Sequence, residues 1–309
     1  MRNHFIKGLE ALAKNDPRIF LMTGDLGYGV LNGFAEQYPD RFINAGISEQ
    51  NMTSVAAGLA LDGNTVYTYS IGNFPTMRCL EQIRNDVCYH NANVKIIVVG
   101  GGLAYGQLGM SHHATEDLAI MRALPNMRVF SPADPMEAFD VLQEANHING
   151  PCYIRLGKGG EENLHSDITS KNVYHAVALQ TGDDVRILAT GSILKEALGA
   201  AAQLSSKGLS VGVYSFISIK PIDEDTIRDC ALNSRLLVTL EEHNKIGGFG
   251  GAVAETISEI SETHAPLLRI GMCDTYSSIV GSQSYLRTYY QLDASSVSAQ
   301  TLEVLERMS

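Results

Sequence analysis

Short apolar runs that close on glycine or a turn residue alternate with stretches of helical periodicity along all 309 residues. This alternation narrows the fold more than any other feature. Parallel strands need a crossover of helix length between them, so a chain patterned this way builds α/β layers around parallel sheets. Strands are expected at residues 18–23, 41–45, 65–70, 94–99 and 128–131, with helices at 48–61, 74–90, 116–123 and 135–147. A polar stretch from Lys158 to Asn172 interrupts the pattern and reads as a linker. Beyond it the pattern resumes, with strands at 185–189, 210–215, 235–240 and 266–270 and helices at 194–207, 223–229, 250–262, 283–290 and 298–308. Two doubly wound α/β domains, 1–160 and 175–309, joined by a linker at 161–174, account for the chain.

A hydrophobic content of 45% with 18% charged residues is that of an ordinary globular protein. The net charge of −11 and pI near 5.3 argue against a nucleic-acid backbone or an anionic membrane as partner, since either asks for a basic face. Five cysteines, none in a Cys-x-x-Cys pair, indicate neither a disulfide framework nor a zinc site. Residues 1–13 mix charge with apolar residues at helical spacing and lack the apolar core of a signal peptide. A cytoplasmic protein is the expectation, with small molecules or other proteins as its partners.

Two stretches carry candidate chemistry. The run at 41–45 ends in Gly46, after which Ser48 and Glu49 open a helix rich in alanine and glycine, able to lie close to another backbone. Ser48 is placed as its N-cap, and Glu49 falls in the first turn, where the helix dipole favours an acid. Farther on, Gly100-Gly101-Gly102 and the segment Gly106 to His113 make a glycine-rich loop with two adjacent histidines. In open α/β sheets ligands gather at such loops, beyond the carboxyl ends of strands. Adjacent histidines cannot chelate from one helical face as His-x-x-x-His does. Neither a dinucleotide fingerprint nor a P-loop motif is present.

Four motifs, correct in order and spacing, resemble the transketolases and deoxyxylulose-phosphate synthases: Gly46-Ile47-Ser48-Glu49-Gln50-Asn51-Met52, Ser111-His112-His113-Ala114-Thr115-Glu116-Asp117, Arg122-Ala123-Leu124-Pro125-Asn126-Met127 and Pro132-Ala133-Asp134-Pro135-Met136-Glu137. The second half, with Glu241-Glu242-His243 and Gly247-Gly248-Phe249-Gly250-Gly251, is similar to the transketolase C-terminal domain. The resemblance implies a pyrimidine-binding domain for thiamine diphosphate, with Glu49, Ile47 and Phe74 at the cofactor. Glu49 is the implied partner of the aminopyrimidine ring nitrogen. Aspartate would fall one methylene short there, and glutamine could not share the proton. Phe74 is the implied ring that stacks on the pyrimidine, although a Phe at a helix start also suits a core. His112 aligns with a histidine that faces substrate hydroxyls, with His113 at the substrate edge.

The resemblance also exposes what is missing. The family's Gly-Asp-Gly and downstream Asn, which hold the diphosphate through Mg2+ or Ca2+, have no counterpart here. A separate N-terminal subunit holding that metal is therefore implied, in an α2β2 heterotetramer. Leu108 occupies the place of an aspartate that reads a sugar hydroxyl, and Gly101 the place of a phosphate-binding arginine. Arg155 matches another phosphate-contacting arginine, and a domain-edge salt bridge is its alternative role. The implied reaction moves a two-carbon ketol unit from a ketose to an aldose. A 2-oxo-acid dehydrogenase beta-type chain and a decarboxylating synthase are the alternatives within the same chemistry.

Overall fold

The computed structural model of the chain describes residues 1–165 and 172–308. Twelve strands among them fall into two sheets. In the first half these are β1 (Ile19–Thr23), β2 (Phe42–Asn44), β3 (Thr65–Ile71), β4 (Val94–Val99), β5 (Arg128–Phe130) and β6 (Cys152–Leu156). All pair in parallel, in the order β5-β6-β4-β3-β1-β2. Strands β3, β4 and β6 are buried on both faces, as parallel strands between two helical layers are. Helices Arg2–Asn15 and Pro135–His147 cover one face, and Glu49–Leu61 lies on the other.

The second half holds β7 (Val177–Gln180), β8 (Val185–Thr190), β9 (Val211–Ser215), β10 (Ser218–Lys220), β11 (Leu236–Asn244) and β12 (Leu267–Met272). Its own sheet runs β12-β11-β8-β9-β7, parallel except for β7. Strand β10 instead crosses over and pairs antiparallel with β5, which makes the first sheet seven-stranded. Strands β6, β7 and β10 add to the expected elements. The last two have three or four residues and little alternation of their own, so only their neighbours define them.

Two local expectations change. The segment expected as one helix over 74–90 is a 3-10 turn (Met77–Cys79), a short α-turn (Leu80–Gln82) and a π-wound turn (Ile83–Cys88). Ser48 does precede the helix Glu49–Leu61, yet its hydroxyl donates back to Ala45 O at 2.5 Å and caps nothing in the helix. The expected linker lies partly outside the described residues. Its described end is held, since Leu164 N and His165 N donate to Asp134 Oδ2 and the His165 ring lies between Asp134 and Glu137. Four cysteines are buried and Cys273 is exposed, all as free thiols. Among the described residues no helix is long and apolar enough to cross a membrane.

Candidate active site

The carboxyl ends of β1, β2, β3 and β4 open onto one edge of the first sheet, and the singled-out residues gather there. Gly46 follows β2 with φ +70, turning the chain so that Glu49 enters the helix one turn above the sheet. Glu49 is only 2% exposed. Its Oε2 accepts a hydrogen bond from Arg78 Nη1 at 2.7 Å, while Oε1 accepts none among the described residues. Gly24, just past β1, leaves room for this side chain, since a Cβ there would lie 3.3 Å from Glu49 Cγ.

From the end of β3 the chain turns at Gly72 and presents Phe74. The Phe74 ring stands edge-on to the His112 ring, with centroids 5.1 Å apart, and the Arg78 guanidinium carbon lies 4.8 Å from the Phe74 centroid. Glu49, Arg78, Phe74 and His112 thus form one chain of contacts. His112 is half-buried, and its Nδ1 is 3.0 Å from Ser111 Oγ. His113 is buried, and its carbonyl accepts from Asn73 Nδ2. Burial pushes the His113 pKa below the usual imidazole value, and its Nε2 has no partner among the described residues. Ile47, 78% exposed, stands at the turn two residues before Glu49, and Leu108, 54% exposed, stands in the histidine loop.

Arg155, at the carboxyl end of β6, stands at the base of the histidine loop. It is 5% exposed, with Nε donating to Asp117 Oδ2 at 2.9 Å and Nη2 to Ala114 O at 2.7 Å and to Glu242 O at 3.0 Å. Tyr153 Oη completes the hold on Asp117 at 2.7 Å. A guanidinium so held ties the two halves of the chain together through Glu242 O, the arrangement of the domain-edge alternative.

Three comparisons with known proteins bear on this edge. Residues 1–160 match the family described as transketolase, pyrimidine binding domain, and residues 175–297 match transketolase, C-terminal domain. The chain belongs to the transketolase family. It is 36% identical over 310 aligned residues to a putative transketolase C-terminal section of Methanocaldococcus jannaschii, covering 99% of this chain and 96% of that protein. It is 33% identical to one of the subunits of an apulose-4-phosphate transketolase, that of Phocaeicola vulgatus, covering 99% and 97%. Among solved structures, a split-gene transketolase described as an inactive beta4 tetramer superposes with a TM-score of 0.88 at 37% identity, covering 99% of this chain and 97% of that one. The transketolase of Leishmania mexicana shares the fold, with a TM-score of 0.84 at 21% identity, and this chain spans 45% of its length.

Transketolases are thiamine diphosphate enzymes, and the site fits one part of that cofactor. A buried carboxylate with an uncommitted oxygen, whose partner Arg78 also lies over the Phe74 ring, suits a planar, hydrogen-bonding heterocycle. The family's metal-holding Gly-Asp-Gly and downstream Asn have no counterpart in the sequence. Arg78 and Asn73 are contacts that the transketolase motifs do not mark. Arg78 falls inside a stretch with helical periodicity, and nothing in its local sequence points to Glu49.

The triplet Glu241-Glu242-His243, on a strand end where an interface or solvent would be the simplest surroundings, is buried throughout at the seam between the halves. Glu241 caps the helix Phe249–Ser258 by accepting from Phe249 N at 2.7 Å and Gly250 N at 2.8 Å, and burial pushes its pKa up to about 7. Burial pushes the His243 pKa down to about 4, and its Nδ1 lies 2.7 Å from Asn244 O.

Proposed function

We propose that this chain is the beta, or C-terminal, subunit of a two-chain transketolase. It transfers a two-carbon ketol unit from a ketose to an aldose with thiamine diphosphate. The observation that carries this reading is the free Oε1 of buried Glu49, whose partner Arg78 also lies over the Phe74 ring. In this reading a partner of N-terminal, diphosphate-binding type holds Mg2+ or Ca2+ and the cofactor's charged end. The assembly is an α2β2 heterotetramer in the cytoplasm.

When bound, thiamine diphosphate would supply the nucleophilic carbon that ketol transfer requires. Glu49 would hold and return a proton at the aminopyrimidine nitrogen through Oε1, with Arg78 keeping the carboxylate oriented from its other oxygen. Phe74 would press on the ring face and fix its plane. His112, at the open side of Phe74, would donate to the oxygen of the transferred carbonyl, with His113 behind it. Burial of Glu49 limits water at the proton-sharing step.

Reconstitution tests the reading. The chain is mixed with its diphosphate-binding partner, thiamine diphosphate and Mg2+, and offered ketose donors with aldose acceptors, or pyruvate. Ketol transfer without carbon dioxide release supports it. Carbon dioxide release from pyruvate would instead move the chain to one of the decarboxylating alternatives, the synthases or the 2-oxo-acid dehydrogenase beta-type chains.

A further inference from the structure

We propose that Glu242, in the C-terminal domain, is a positioning residue for the histidine loop, and so sets where His112 stands in the active site. The inference rests on the reading above, in which His112 faces substrate.

The loop between Gly102 and Ala114 contains only two 3-10 turns, Gly106–Leu108 and Met110–His112. It is pinched at its base by a pair of hydrogen bonds, Gly102 N to Ala114 O and Ala114 N to Gly102 O, each 2.9 Å. With no α-helix or strand inside it, its course depends on what grips it from outside. Glu242 grips both ends. Its Oε1 accepts from Leu103 N at 2.6 Å, where the loop departs. Its main-chain oxygen accepts from Arg155 Nη2 at 3.0 Å, and the same nitrogen holds Ala114 O at 2.7 Å, where the loop returns. Gly102, at φ +63, makes room for this carboxylate, since a Cβ there would lie 2.6 Å from Glu242 Oε1.

Glu242 is itself fixed. Arg287 donates to Oε2 from Nε at 2.5 Å, and its Nη2 is also 2.5 Å from that oxygen. Gln283 Nε2 reaches Oε1 at 2.8 Å. Arg287 in turn holds Ser192 Oγ at 3.0 Å. A buried carboxylate held by a guanidinium and an amide keeps one orientation. The same C-terminal helix, Gln283–Tyr289, supplies the packing below the loop. Leu286 presses against Gly106, and Gly281 N donates to Gly106 O at 3.2 Å. The pyrimidine-binding half contributes Asn73 on the His113 carbonyl. The C-terminal domain therefore holds the loop's start and its underside, and meets its return through Arg155.

Two substitutions test this, in the chain alone and in the complex with its diphosphate-binding partner. Glu242→Gln removes the charge that Arg287 reads, and Gln283→Leu is a milder change on the same carboxylate that keeps the fold. In the isolated chain, amide hydrogen exchange at 103–113 is expected to quicken at least tenfold in both variants, with the helix 49–61 unchanged. In the complex, ketol transfer should fall about tenfold or more. Each substitution placed in a His112→Ala background should then cause no further loss, because its effect runs through His112. Equal proportional losses with and without His112, or unchanged exchange at 103–113, would overturn the proposal. Full activity of His112→Ala by itself would instead remove the reading of His112 on which the proposal stands.

Discussion

Arg78 holds one oxygen of Glu49 and leaves the other uncommitted. The pair is 2.7 Å long, with Glu49 buried and the Arg78 side chain 44% exposed, so the guanidinium forms the solvent-side wall of the carboxylate's pocket. A buried carboxylate with no partner carries its full desolvation penalty, and this contact offsets that penalty within the chain itself. Replacing Arg78 with Met should destabilise the isolated chain by about 1–3 kcal/mol in urea denaturation. In a Glu49→Gln background the same replacement should cost far less, and simple additivity of the two would show that the contact contributes nothing.

Glu49 is expected to be indispensable to turnover but not to folding. In the reconstituted complex Glu49→Gln and Glu49→Asp should each lower ketol transfer on the order of 10²- to 10⁴-fold. The unfolding midpoint of the chain should stay close to that of the parent. Initial-rate measurements across pH check this, and a Gln variant with parental rates would end the assignment.

Arg155 belongs to the seam. Arg155→Met removes one partner of a buried ion pair with Asp117 and should cost about 3–5 kcal/mol of stability. Arg155→Lys should be milder, yet still destabilising, because an ammonium cannot reproduce the fork to Asp117, Ala114 and Glu242. The ratio of kcat/KM for a phosphorylated against a neutral sugar should not change in Arg155→Lys. A selective loss of the phosphorylated substrate would restore the anion-binding role.

His165 gives a pH signature. Burial opposes its charged form, but the carboxylates of Asp134, at 2.8 Å, and Glu137, at 3.1 Å, hold its pKa up at about 10. A folded pKa above the unfolded value near 6.5 means its contribution is complete below about pH 6.5 and is lost as pH rises through about 10. Asp134, depressed to about 2, keeps its side of the pair down to strongly acid pH. Thermal denaturation from about pH 6 to about pH 10 should therefore show a steeper fall in Tm for the parent than for His165→Asn. Parallel slopes would mean that the imidazole is neutral in the fold.

Much of the fold is legible in the sequence. The runs at β3 and β4 fall within a residue of expectation, since both are short stretches rich in β-branched and aromatic residues bounded by turn residues. Strand β10 escapes such a reading because its place is decided by a partner on the other half of the chain, across the sheet edge of β5. The π-wound turn at Ile83–Cys88 reads as ordinary helix, since apolar residues at Ile83 and Val87 satisfy a 3.6-residue period in either winding.

The linear order of residues determined the α/β layering, the glycine turn that delivers Glu49 to the end of a strand, and the histidines in a loop beyond another strand. These depend on local periodicity and turn chemistry, which a single stretch of chain contains in full. Tertiary structure alone decided that Arg78 closes on Glu49 across 29 positions, that Arg155 faces inward, and that Glu242 reaches 139 positions back to Leu103. Hydrogen bonds and ion pairs between distant segments are set by where sheets and helices come to rest, and no local pattern encodes that placement.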